Sequence, residues 1–177
     1  LMVVSSGNSF QLNAPEYMTR YYVNDGKGKF SRVTDFPIIR TNAGAILALD
    51  YDMDKDLDVI IAGRSTPGAY PSSPRSYLLE NVGGKFKDIT QTVFPDLETL
   101  GMITDIVSGD LDGDNKDEIV IIGDWMPITV FSFDGGKFKD RTQSFGLEQT
   151  TGWWRSLQLE DMDKDGRKDL ILSLEWG

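Results

Sequence analysis

Three short apolar runs recur along the chain, each opening directly behind a cluster of acids. They are Val-Ile-Ile-Ala-Gly at 59–63, Ile-Val-Ile-Ile-Gly at 119–123 and Leu-Ile-Leu-Ser-Leu at 170–174. Short, largely β-branched runs bounded by turn signals read as strands buried on both faces. A second strand follows in each unit, through Tyr77-Leu78-Leu79 and Val130-Phe131-Ser132-Phe133. A Gly-rich turn then supports a hairpin into GKFKDIT or GKFKDRT, and a fourth strand, GMITDIVSGD or GWWRSLQLED, leads into the next acidic cluster. No segment keeps apolar residues at helical spacing over three turns, so the fold class is all-β.

The pattern repeats. DYDMDKDLDVIIAG from Asp50 returns as DLDGDNKDEIVIIG from Asp110 and DMDKDGRKDLILSL from Asp161, at intervals of 60 and 51 residues. The turn element recurs in phase from Asn24, Asn81 and Asp134. Four antiparallel strands per unit of ~50–60 residues match one blade of a β-propeller. The units are 1–58, 59–118 and 119–169, with 170–177 opening the next, because LMVVSSG at the start aligns with VIIAGRS. Three blades do not close a ring of four to eight. The expectation is a piece of a larger propeller, or self-association that completes the ring.

Composition narrows the chemistry. The 177 residues are 40% apolar and 26% charged, with neither cysteine nor histidine. Disulfides, thiolate or imidazole metal sites and histidine-based catalysis are thereby absent. A net charge of −10 opposes binding to nucleic acid or an anionic membrane. No run reaches the ~18 apolar residues of a membrane helix, so no membrane insertion is expected in this segment. The opening Leu1, with no signal-peptide core behind it, reads as the start of a mature or excised piece.

Fourteen of the 28 acids lie in the three clusters, twelve of them at positions 1, 3, 5 and 9. These are Asp50, Asp52, Asp54 and Asp58; Asp110, Asp112, Asp114 and Glu118; and Asp161, Asp163, Asp165 and Asp169. Alternating carboxylates on a tight loop converge on a point, where a hard cation wanting six to eight oxygens fits. Position 7 is Asp56, Lys116 or Arg167, a variation expected where only the backbone carbonyl is used. Position 6 is Lys55, Asn115 or Gly166; Asn and Gly suit a left-handed turn, and Lys55 departs from it. An EF-hand is excluded because its glutamate at position 12 is replaced by Ile61, Ile121 or Leu172. Solvated acidic turns are the plain alternative, but without counter-ions each cluster repels itself. Three bound Ca²⁺ would take the formal charge from −10 to −4.

D-x-D-x-D-x-x-x-[DE] before an apolar strand, repeated with a G-G-K-F hairpin, resembles the FG-GAP/VCBS repeats of integrin-α-like propellers. LGMITDIVSGDLDGD, IIGDWMPITVF and TGWWRS ahead of LEDMDKDG look like exported bacterial relatives of the cartilage acidic protein family. The resemblance implies a calcium-stabilised propeller with about three Ca²⁺ sites, working in adhesion or recognition of a protein or glycan. It implies an extracellular, cell-surface or periplasmic location. The twelve carboxylates and the carbonyls of Asp56, Lys116 and Arg167 carry over as ligands. The Phe-Gly and Gly-Ala-Pro elements of integrin repeats are not clearly present, so integrin partner specificity does not transfer.

Trp125 and Trp176 share one repeat position, and Trp153 and Trp154 sit on a fourth strand. Packing between blades is their expected use, with stacking on sugar rings the rarer one. In Lys-Phe-Lys at 85–87 and 137–139 the phenylalanine is expected inward. The Pro- and Ser-rich loop Ser65 to Arg75 is the expected contact region. Two other functions are weighed. A carbohydrate-active enzyme would use acids left over from the loops, such as Asp105, Asp124, Glu148 and Glu175; a spacer of a large surface protein would bind nothing.

Overall fold

The computed structural model describes residues 1–175. The chain folds into antiparallel sheets joined in sequence. β1 (Met2–Val3), β2 (Arg20–Asn24) and β3 (Phe30–Arg32) form the first. β4 (Ala43–Leu49), β5 (Asp58–Gly63), β6 (Tyr77–Val82) and β7 (Lys85–Asp88) form a four-stranded blade in that order. A short helix, α1 (Thr90–Val93), leads to the next blade: β8 (Met102–Gly109), β9 (Glu118–Met126), β10 (Thr129–Asp134) and β11 (Lys137–Asp140). β12 (Gly152–Glu160) and β13 (Asp169–Leu174) form a further antiparallel pair, and β12 also bonds to the far end of β9. The fold is all-β, as the sequence pattern predicts.

The sheets are phased one strand earlier than the units 1–58, 59–118 and 119–169. The strand before each acidic loop pairs with the strand after it: β4 with β5, β8 with β9 and β12 with β13. The loop is therefore the turn of a hairpin within one sheet rather than a crossing between two. β4, β8 and β12 run beside one another as successive first strands.

The apolar runs are continuous because each central strand serves two cores. In β5, Ile60 and Ala62 enter the core shared with the following sheet, while Val59 and Ile61 enter the one shared with the preceding sheet. In β9, Ile119 and Ile121 join Ile60 and Leu78, while Val120 and Ile122 pack with Val130 and Leu157. Alternation along a strand sends neighbours to opposite faces, so a strand covered on both sides must be apolar throughout. The hairpin phenylalanines follow the expected direction. Phe138 is buried against Phe94 at 4.4 Å between centroids, and Lys137 and Lys139 are exposed.

The Asp-x-Thr ending each hairpin has a role that spacing alone did not disclose. The hydroxyls of Thr90 and Thr142 accept the amides of Leu78 and Val130, at 2.8 and 3.1 Å. They satisfy buried donors where the hairpin ladder gives out.

Backbone approaches backbone most closely at two glycines, Gly44 between two sheets and Gly123 within one. A Cβ on Gly44 of β4 would stand 2.1 Å from the Ile103 carbonyl oxygen of β8, and one on Gly123 would stand 2.3 Å from that of Met102. Both clashes are with backbone. Gly44→Ala should therefore force the two first strands apart, lowering stability by about 2–3 kcal/mol. Urea unfolding of the calcium-saturated protein measures the loss, and an unchanged midpoint would refute the packing constraint.

Candidate metal centre

Each acidic loop joins the first two strands of a sheet: 50–57 between β4 and β5, 110–117 between β8 and β9, and 161–168 between β12 and β13. All three share one backbone pattern. Position 6 is left-handed in every loop, with φ of 78° at Lys55, 64° at Asn115 and 87° at Gly166. Lys55 thus takes the turn that its residue type disfavours. Position 4 is left-handed too, at Met53, Gly113 and Lys164. For non-glycine residues this costs about 1–2 kcal/mol each.

Hydrogen bonds to position 1 offset that strain. Asp50 accepts the amides of Asp54 and Lys55 at 3.1 and 3.0 Å, and Asp161 accepts those of Asp165 and Gly166 at 3.1 and 2.9 Å. In the middle loop Asp110 accepts Gly113 and Asn115 at 2.7 and 3.0 Å. The turn thereby gathers carboxylates from positions 1, 3 and 9. Asp50, Asp52 and Asp58 bring one oxygen each within 4.8 Å of the others, as do Asp110, Asp112 and Glu118, and Asp161, Asp163 and Asp169. Oxygens bound to one Ca²⁺ at 2.3–2.6 Å lie no more than about 5 Å apart, so the spacing suits that ion.

Positions 5 and 7 are used differently. Asp54, Asp114 and Asp165 stand outside these groups and accept the amide of position 7, at 2.8, 2.8 and 2.9 Å. Asp56 at position 7 also uses its side chain, accepting the amide of Gly83 at 2.8 Å and so tying its loop to the β6–β7 turn. Arg167 folds its guanidinium onto Asp165. Lys116 makes neither contact.

Position 9 sits where the strand enters the core. Asp58 and Glu118 are buried, at 1% and 2% exposure, whereas Asp169 is exposed. Glu118 accepts the amide of Leu111 and Asp169 that of Met162, both at 3.0 Å. Asp58 accepts Asn81 at 2.8 Å through Oδ1, and its buried Oδ2 has no hydrogen-bond partner. A buried carboxylate oxygen left bare beside two further carboxylates fits a cation ligand and is costly otherwise. An all-oxygen donor set without imidazole or thiolate selects a hard ion of the calcium or magnesium type.

FG-GAP-like repeat matches cover residues 50–121 and 110–172, each opening at the first aspartate of an acidic loop. The chain belongs to the FG-GAP-like repeat family. No curated protein matches it. Among the described residues, no helix is long and apolar enough to cross a membrane.

Burial dominates the electrostatics of the FG-GAP loops. It pushes the Asp58 carboxyl up to about 6, and the charges of Asp52 and Asp54 add to the rise. The backbone amides of Asn81 and, to a smaller extent, Tyr51 oppose it. Glu118 is raised for the same reason, with Asp112, Asp114 and Asp110 contributing. Asp165 is held low by Arg167.

Of the leftover acids, Asp105 accepts the amide of Leu157 at 2.9 Å and so ties β8 to β12. Asp124 is buried between Arg64 at 2.7 Å and Arg155 at 3.1 Å, and Arg155 also holds Glu175. Glu148 lines a separate shallow cavity with Thr129 and Asp140. Trp154 packs against the core beside Val120 and Leu157, donating to the Thr150 carbonyl at 3.0 Å. Trp125 departs from the expected packing between blades and is 58% exposed. Its repeat counterpart Trp176 lies outside the described residues.

The raised Asp58 gives a pH signature in metal-free protein. A carboxyl whose folded pKa exceeds its ordinary 3.8 contributes stability that is complete below that value and is lost as pH rises through about 6. In EDTA, wild type should therefore lose more stability than Asp58→Asn between about pH 4 and pH 7. Thermal melts of both proteins across that window measure the difference, and parallel curves would contradict it.

Proposed function

We propose that this chain is a calcium-dependent, non-catalytic recognition module that works outside the cytoplasm and binds a protein or a glycan. The observation that carries the reading is the threefold convergence of carboxylates at positions 1, 3 and 9, joined in the first loop by the bare buried Oδ2 of Asp58. We assign the ligand sets to those carboxylates, joined by Asp54, Asp114 and Asp165 at position 5 and the carbonyls of Asp56, Lys116 and Arg167. A bound cation would supply the charge that lets a carboxylate-bearing strand start inside the core. The protein's residues do the rest: left-handed turns aim the carboxylates, and positions 5 and 7 brace the loop.

Calcium is favoured over magnesium because the loops offer many carboxylates on a flexible frame, whereas magnesium demands a near-ideal octahedron and retains water. Modules of this kind that bind at ~10⁻⁴–10⁻³ M are filled outside a cell and empty in a resting cytosol, which supports export. FG-GAP repeats are typically extracellular. By motif the chain resembles exported bacterial relatives of the cartilage acidic protein family. Against an enzyme stand the structural engagements of Asp105, Asp124 and Glu175.

Each filled site should contribute ~2.7 kcal/mol at 100 times its dissociation constant. A melt in EDTA, followed by Ca²⁺ and then Mg²⁺ at matched ionic strength, should show a saturable rise with Ca²⁺ and little with Mg²⁺. Asp112→Ala and Asp163→Ala should each remove one site's increment and spare the others, with stoichiometry read by calorimetry. No rise beyond the effect of salt would reduce the loops to acidic turns.

A further inference from the structure

At the end of β9 remote from the acidic loop, the ladder to β12 breaks register. Gly152 faces Met126 and Trp153 faces Asp124, so Trp125 is an extra residue on β9. It is a bulge, and its φ of 62° is left-handed, which is rare for a bulky side chain and costly to hold. The bulge turns the indole out of the sheet, where it stands 58% exposed. Two other aromatics fix its orientation. Trp153 meets it edge-on at 4.7 Å between centroids, and the Trp125 Nε1 donates to the Tyr70 hydroxyl at 2.8 Å. Tyr70 is itself 60% exposed, at the tip of the long β5–β6 connection. A cavity of about 440 Å³ opens beside them, lined by Tyr70, Pro71, Ser73, Met102, Asp124 and Trp125.

We propose that this aromatic corner binds a neutral pyranose ring of a glycan, stacked on Trp125. The inference rests on the recognition reading above and names its ligand class. A preset, water-exposed indole offers a flat apolar face to the C–H side of a sugar at little conformational cost. Polar groups for ring hydroxyls lie next to it in the Arg64–Asp124–Arg155–Glu175 chain. That chain decides the charge of the ligand. Two guanidinium groups balance two carboxylates, so neither a cation nor an anion gains by entering. A quaternary ammonium, which aromatic cages otherwise suit, would meet both arginines, and an anionic sugar would meet Asp124. A neutral ring meets donors and acceptors of both kinds.

The test uses the calcium-saturated protein, whose ion binding is established separately by its melt, so that a failed calcium reading and a failed sugar reading remain distinct. Neutral hexasaccharides of glucose, mannose, galactose, xylose and N-acetylglucosamine are titrated by calorimetry and tryptophan fluorescence, with choline and a proline-rich peptide alongside. At least one hexasaccharide should bind saturably with a shift in tryptophan emission. Trp125→Ala should weaken it at least about tenfold, and Trp125→Phe less. Trp125→Gly should bind as poorly as Trp125→Ala yet melt higher, since glycine relaxes the left-handed backbone. Absence of binding by every hexasaccharide at about 10 mM overturns the proposal. So does a hexasaccharide affinity indifferent to Trp125, or binding of only choline or the peptide.

Discussion

A β-strand that is apolar on both faces has one stable place, between two sheets, and β5 and β9 are such strands. Ile60 and Ala62 need one neighbour, Val59 and Ile61 another. That demand stacks the sheets in sequence, sets β4, β8 and β12 side by side, and leaves no room for a side chain at Gly44. Each methylene so buried contributes about 0.8 kcal/mol, and every blade boundary collects many of them. Stability is thus a property of the boundaries, and a blade alone would expose both of its apolar faces.

The same demand creates an electrostatic problem at the start of each central strand. The acid at position 9 is the first residue of its strand, and in the first two blades it is already out of water. Burial raises Asp58 and Glu118 toward the neutral form. The loop ahead of each adopts two left-handed residues that bring further carboxylates against it. The repeated strain, the convergence and the bare Oδ2 of Asp58 all acquire one cause if a cation is the partner.

β9 links the two proposed sites. Glu118 lies at its beginning and the bulged Trp125 near its end, seven residues and roughly 23 Å along an extended strand. Rigid, doubly buried backbone connects them. The end at the acidic loop is buried and fixed, and the far end, freed from strict pairing by the bulge, presents a side chain to solvent.

Much of this was legible in the chain itself. The fold class, the repeat and the clustering of acids at positions 1, 3, 5 and 9 follow from local periodicity, because alternation and loop spacing act over a few residues; that position 5 stands outside the convergent groups does not. Lys-Phe-Lys gave the inward phenylalanine for the same reason. What only the tertiary structure decided depends on contacts distant in sequence. The pairing of strands across each acidic loop moved the sheet boundaries by one strand. Asp56 found its use at Gly83, the threonines of the hairpins at Leu78 and Val130, and Asp124 at arginines from the blades on either side. Above all, Trp125 reads as one more core aromatic until the register of β9 against β12 is known. A bulge is a mismatch between two strands, and neither strand's sequence holds it alone.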